Sequence, residues 1–78
     1  MQDGISQWEK KPTLLDLREK YGVAIVPLAN SSGVAPSIIY CMLLGRPVER
    51  VNAISVLNGL KDLIGVDYSL GDVDVPLL

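Results

Sequence analysis

The stretch LANSSGVAPSIIYCMLL, residues 28–44, has the spacing of two short helices that cross at a tight turn. Ala29 is small enough to let a second helix approach closely, and Gly33, four residues later, can adopt the positive φ that ends the first helix. Three apolar residues follow at spacings that point them inward and fix the crossing angle: Val34, Ile39 and Met42. The stretch therefore predicts a helix-turn-helix.

Prolines limit both helices of this unit. Pro27 is tolerated only in a first turn, so we expect helix two to run over about residues 24–32. Pro36 suits the first position of helix three, which we expect to end at Gly45 because Pro47 prevents the helix from continuing.

Helix one is predicted on the N-terminal side of the unit. Thr13 begins it, with Asp16 placed three residues on as in a capping box, and Gly22 ends it. Its inward stripe is expected to hold Leu14, Leu17 and Tyr21.

The longest helix is predicted over Val48–Ile64, where apolar residues recur every three or four positions. Its inward stripe is expected to include Val51, Ile54, Leu57, Leu60 and Ile64. Gly59 in its interior indicates either the close approach of another helix or a tolerated weakness. Ser69 and Asp72 then form a second capping-box pattern, which predicts a short fifth helix over roughly Leu70–Val73.

Length and composition indicate one small domain with an aliphatic core, since the 78 residues are 49% hydrophobic and contain no phenylalanine. We divide them into a flexible N-terminal arm, residues 1–12, a helix-turn-helix domain, residues 13–73, and an apolar tail, residues 74–78. The lone Cys41 fits a reducing compartment, and the apolar stretches are too short for a signal peptide or a membrane span. We therefore expect a soluble protein of the cytoplasm.

The distribution of charge bears on function. The net charge of −2 and the pI of about 4.8 count against nucleic acid as a partner, since phosphate neutralisation supplies much of that affinity. The positive charge nevertheless lies with the helix-turn-helix: residues 1–50 carry a net +1 and residues 51–78 a net −3. Because the sequence holds no histidine, metal-ligand cluster or glycine-rich phosphate loop, we expect neither an enzyme nor a cofactor, a metal or a small-molecule substrate.

A set of these residues repeats the pattern of a known family: Leu14, Leu17, Tyr21, Gly22, Leu28, Ala29, Gly33, Val34, Ile39, Met42, Gly45, Arg46 and Pro47. Over about Thr13–Val73 the chain resembles the lambda-repressor-like domains of the Cro and xenobiotic-response-element (XRE) regulator family. The resemblance implies an all-α fold, a compact five-helix bundle with the helix-turn-helix formed by helices two and three. It also implies a sequence-specific transcriptional regulator that binds double-stranded DNA as a homodimer.

The resemblance further implies which residues meet DNA. The family's base-facing positions fall here on Ala35, Pro36, Ser37, Tyr40, Cys41 and Leu44. Ser37 and Tyr40 keep hydrogen-bonding groups suited to a phosphate or a base edge, whereas small apolar side chains elsewhere suit thymine methyl groups. The residues expected to hold phosphates are Arg46, Arg50, Lys10 and Lys11.

The apolar outward positions of helix three support an alternative, a protein-interaction or oligomerisation module that kept the fold and lost or weakened DNA binding. Residues 38–44 supply more hydrophobic side chains than one face of a short helix buries in its own core. The candidate partner interface consists of Leu44, Val75, Leu77, Leu78 and Trp8. Two placements stay open: Trp8 packs over its own core or anchors a partner, and the tail folds back or crosses to a second subunit.

Overall fold

The computed structural model describes residues 10–78, which contain four α-helices and one 3₁₀ turn. The helices are α1 (Leu14–Tyr21), α2 (Ile25–Ser32), α3 (Pro36–Leu43) and α4 (Arg50–Ile64). The expected all-α class is confirmed. The expected fifth helix is instead the 3₁₀ turn Leu70–Asp72, and residues 1–9, which include Trp8, lie outside the described residues.

α1 begins and ends as the sequence predicts. The Asp16 carboxylate accepts the Thr13 backbone N–H at 3.0 Å, and the Asp16 N–H donates to the Thr13 hydroxyl at 3.1 Å, which completes a capping box. Gly22 ends the helix with a φ of +67°, in the left-handed region that favours glycine. Leu14 and Leu17 of the expected stripe are buried.

α2 and α3 meet at a three-residue turn, residues 33–35. Gly33 has a φ of +72° and donates its N–H to the Ala29 carbonyl at 2.9 Å, which closes α2. The helices bend by 118° at this turn, within the range of about 90–120° for helices joined by a short turn that contains glycine. α3 begins at Pro36, as predicted. The three residues expected to point inward are all buried: Val34, Ile39 and Met42.

α4 is the longest helix and packs mainly against α2. Gly59 lies at the crossing, where a Cβ atom would be 2.6 Å from the Ser32 backbone nitrogen. The Ser31 hydroxyl donates to the Gly59 carbonyl at 3.0 Å across the same contact. Of the two explanations for a glycine inside this helix, close approach is therefore confirmed.

The rotation of α4 about its axis differs from the predicted one. Val51 and Ile54, which were expected to face inward, are 65% and 39% exposed. The buried residues of the helix are Ala53, Val56, Leu57, Gly59 and Leu60. This face includes alanine and glycine, whose small size permits the close backbone approach, whereas a face through Val51 and Ile54 would hold α2 further away. The prediction for these two residues is therefore wrong.

α4 also begins two residues later than predicted, at Arg50. Val48 is buried, and its backbone forms an isolated parallel bridge with Leu77 of the tail. The Val48 N–H donates to the Pro76 carbonyl at 3.1 Å, and the Leu78 N–H donates to the Val48 carbonyl at 3.0 Å. Because this carbonyl is used by the tail, it does not serve as a helical acceptor, and the helix starts after it.

The tail folds back on its own chain, which is one of the two placements that the sequence left open. Besides the bridge to Val48, the Asp74 N–H donates to the Pro12 carbonyl at 2.8 Å. Val73 is buried in an extended conformation, which ends the 3₁₀ turn. The side chains of Leu77 and Leu78 stay exposed.

Two pairs of polar residues form hydrogen bonds in the segment before the tail. The Asp72 carboxylate accepts the Ser69 backbone N–H at 3.0 Å and the Ser69 hydroxyl at 2.8 Å, so the second capping pair forms. Both bonds stabilise the charged form of Asp72 and therefore lower its pKa below the ordinary value. The bond from the Ser69 backbone N–H has the larger effect. The Tyr21 and Tyr68 hydroxyls lie 2.9 Å apart, and this hydrogen bond raises the pKa of Tyr68.

Replacement of Gly59 by alanine is expected to lower the free energy of unfolding. Alanine gains about 1 kcal/mol of helix propensity, but its methyl group meets the Ser32 backbone, which no side-chain rotation can relieve. Overpacking of this kind costs about 1–3 kcal/mol or more, so the net effect is destabilising. Urea unfolding followed by circular dichroism measures the change.

Asn58→Ala is the matched control for that experiment, because Asn58 is the exposed neighbour of Gly59 on the same helix. It gains helix propensity without burying a methyl group, so its stability should equal or exceed that of the wild type. Equal stability of the two alanine variants would contradict the close approach of α2 and α4.

Asp72→Asn is expected to remove a part of the stability that is sensitive to acid. A carboxyl whose pKa is lowered by folding stabilises the fold above its unfolded pKa, here near 3.8, and loses this contribution as the pH falls through the folded value. At neutral pH the variant should unfold at a lower urea concentration than the wild type, and the difference should shrink at pH values below 3.8. Urea midpoints measured across this range test the expectation, and a difference that stays constant in acid would contradict it.

Candidate nucleic-acid interface

The outward side of α3 is uncharged and largely apolar. Ser37, Tyr40 and Leu44 share this side because three or four residues separate successive members, and Pro36 joins them because it precedes Tyr40 by four residues. All four are exposed. Tyr40 is 53% exposed and Leu44 is 69% exposed. We call these four residues the α3 outer face. The opposite side of the helix is buried in the core through Ile39 and its neighbours.

The two remaining base-facing candidates lie at the margins of the α3 outer face. Ala35 is the exposed N-cap residue of α3. Cys41 is half-buried and packs against the core, so only part of its side chain is accessible. The structure thus groups most of the predicted base-facing residues on one accessible surface and partly covers Cys41.

α2 and α3 both begin without a side-chain cap. Their N-cap residues, Ala24 and Ala35, are exposed alanines, which offer no oxygen to the first-turn N–H groups. Pro27 and Pro36 have no N–H, and the Ile38 N–H already donates to the Ala35 carbonyl at 3.0 Å. The first-turn N–H groups that remain for an external acceptor such as a phosphate oxygen, at the positive ends of the helix dipoles, are those of Ile25 and Val26 on α2 and of Ser37 on α3.

The C-terminal end of α3 determines where the following chain leaves the helix. The Arg46 N–H donates to the Cys41 carbonyl at 2.8 Å, and the Gly45 N–H donates to the Met42 carbonyl at 3.1 Å. Gly45 has a φ of +76°, so the end has the form of a Schellman motif. This motif fixes the direction in which Arg46 departs from the helix.

The α3 outer face carries no positive charge, and the nearest arginines in the sequence follow it. Residues 21–45 contain no charged side chain. Arg46, on the connection to α4, and Arg50, at the start of α4, are both exposed. Within residues 10–78, one ion pair forms, between Lys61 and Asp67 at 3.6 Å. Neither arginine is therefore paired with a carboxylate in that part of the chain.

The two N-terminal lysines have a different environment. Lys10 and Lys11 line a cleft at the start of α1 together with Asp16 and Asp74. The carboxylates reduce the positive potential there, so the predicted role of these lysines in holding phosphates has less electrostatic support than that of the arginines.

The candidate partner residues are spread over the C-terminal end of α3 and the tail. Leu44 belongs to the α3 outer face, and Leu77 and Leu78 are exposed on the tail. Val75 is half-buried against the core and offers little free surface. Trp8 lies outside the described residues.

Sequence reasoning missed a groove of about 310 Å³ between the first turn of α1, the end of α3 and the tail. We call it the α1–α3 groove, and its apolar walls include Leu15, Leu43, Leu44 and Pro76. The one signal for it in the sequence is Leu15, an apolar residue that lies beside the inward stripe of α1 and outside it. The groove itself depends on the return of the tail, which the local pattern does not indicate.

Among residues 10–78 no group of three or more histidine, cysteine, aspartate or glutamate side chains is placed to hold a metal ion. No single helix in this range is long and apolar enough to cross a membrane. α2 and α3 meet the length and composition required only when they are taken together, as a bent pair.

In comparisons with known proteins, no family model, curated protein or solved structure matched the chain.

Proposed function

We propose that the chain is a lambda-repressor-like transcriptional regulator of the cytoplasm that binds double-stranded DNA as a homodimer. The observation that carries the proposal is the 118° bend between α2 and α3 at a turn that contains glycine, with the outward side of α3 exposed. In a DNA-binding helix-turn-helix the second helix lies in the major groove and the first crosses the backbone. α3 would accordingly be the recognition helix.

The α3 outer face supports limited direct reading of bases. The hydroxyls of Ser37 and Tyr40 can bond to a phosphate or a base edge, and Ala35 and Cys41 can contact thymine methyl groups. This face offers no side chain for a bidentate bond to guanine or adenine. Specificity would therefore rest on A·T content and on the shape of the duplex.

Affinity would come from two kinds of phosphate contact. The uncapped N-termini of α2 and α3 present backbone N–H groups to the phosphates. Arg46 and Arg50 add charge beyond the end of α3, and each phosphate that they neutralise releases counterions. With few such contacts, binding should be weak at physiological salt and stronger at low ionic strength.

Arg46→Gln and Arg50→Gln are expected to weaken binding by a similar factor for every duplex sequence. Each should lower the slope of log affinity against log salt by about 1, because one phosphate contact is lost. Fluorescence anisotropy with labelled duplexes, from low salt upward, measures both quantities. Lys61→Gln is the control, because Lys61 lies near the other end of α4 and is paired with Asp67.

Two outcomes of the anisotropy experiment would contradict the proposal. If no duplex binds even at low ionic strength, the DNA-binding proposal is wrong. If binding occurs but both arginine variants keep the wild-type salt slope, the assigned interface is wrong.

A second function is favoured by a separate observation: the α3 outer face is uncharged and includes two large exposed apolar or aromatic side chains, Tyr40 and Leu44. Surfaces depleted of charge and enriched in tyrosine are typical of the centres of protein interfaces. On this basis α3 would bind a second subunit or another protein in place of DNA.

Tyr40→Glu separates the two functions. If the α3 outer face joins two subunits, a charge at its centre should convert the oligomer to a monomer in sedimentation equilibrium, because the carboxylate loses solvation at the interface. Asn58→Glu, on the exposed side of α4, should leave the mass unchanged. An unchanged oligomer for Tyr40→Glu, or a monomeric wild type at high concentration, would contradict the interface.

A further inference from the structure

The α1–α3 groove is an apolar surface that residues 10–78 leave open. Leu15 is 39% exposed on one wall, and Leu44 is exposed on the other. Pro76 of the tail also lines the groove. A groove of this size, with leucine side chains on both walls, suits a single large apolar side chain.

The N-terminal segment enters the described structure beside this groove. The bond from the Asp74 N–H to the Pro12 carbonyl holds the chain against the tail at this point. Lys10 and Lys11 line the adjoining cleft, which shares Thr13 and Asp74 with the α1–α3 groove. The described chain therefore begins, at Lys10, in a cleft that adjoins the groove.

The nine residues that precede Lys10, MQDGISQWE, carry the one tryptophan of the chain, Trp8. Trp8 precedes Lys10 by two residues, and two extended residues span about 7 Å. An aromatic side chain of this size can bury about 150–250 Å² of surface. Trp8 is thus joined by a tether of two residues to a lysine that lines the adjoining cleft, and its side chain has a size that suits the groove.

We propose that Trp8 packs into the α1–α3 groove of its own chain, against Leu15 and Leu44. The short tether favours this occupant over a second copy, because it gives the indole an effective concentration on the order of millimolar at the groove. The contact covers Leu44 and so removes it from any partner surface, while Tyr40 stays exposed. This proposal does not depend on DNA binding and is tested independently of it.

The intrinsic fluorescence of Trp8 tests the contact directly, since no other tryptophan contributes to the emission. In the folded chain of 78 residues, the emission maximum should be shifted to the blue of that in urea, and quenching by acrylamide should be several-fold weaker. Both should stay constant on dilution, with sedimentation showing a monomer at the lowest concentration. Emission like that of unfolded protein would overturn the proposal.

Matched variants locate the contact. Leu44→Gln should shift the emission to the red and restore quenching, whereas Val51→Gln should change neither, although Val51 is exposed to a similar extent, 65% against 69%. Circular dichroism checks that each variant folds, and Leu15→Gln replaces Leu44→Gln if the latter unfolds. Equal spectra for the groove variants and the control would overturn the assignment of the groove.

A measurement on the unmodified chain completes the test. Nuclear Overhauser contacts between the indole protons and the methyl groups of Leu15 and Leu44 should be present at a concentration where the protein is monomeric. A blue shift or such contacts that arise only at high concentration would assign the groove to a second copy. That result would overturn the intramolecular proposal.

Discussion

The contact between Gly59 of α4 and Ser32 of α2 is the constraint on which the arrangement of the helices depends. A Cβ atom at position 59 would lie 2.6 Å from the Ser32 nitrogen, so the two backbones approach as closely as glycine allows. Ser32 also holds the turn to α3, because its hydroxyl donates to the Ala29 carbonyl at 3.3 Å and accepts the Val34 N–H at 3.2 Å. One residue thus joins the position of α4 to the direction of α3, and the surface that α3 presents follows from this contact.

The α3 outer face was predictable from the sequence because helical periodicity alone places Ser37, Tyr40 and Leu44 on one side. The α1–α3 groove was not, because its walls come from α1, α3 and the tail, which are distant in the chain. The same distinction applies to electrostatics. Arg46 is predictable as a neighbour of α3, whereas the exposure of the α2 and α3 N-termini emerges only when the packing is known.

The features of the fold also differ in whether local sequence or distant packing determines them. The capping box at Thr13, the turn at Gly33 and the start of α3 at Pro36 are decided by bonds or steric limits within a few residues, and all were predictable. The exposure of Val51 was not, because two apolar stripes on α4 compete and only the packing of α2 selects between them. The extended state of Val48 likewise depends on hydrogen bonds to the distant tail.

The central claim is that α3, without charge on its outer face, meets DNA with its backbone N-terminus, its hydroxyls and the arginines beyond its end. Amide chemical shifts recorded during titration with an A·T-rich duplex at low salt test this residue by residue. The account predicts changes concentrated at Val26, Ser37, Tyr40, Arg46 and Arg50, with α4 beyond its first turn unaffected. An absence of changes, or changes confined to the opposite end of α4, would contradict it.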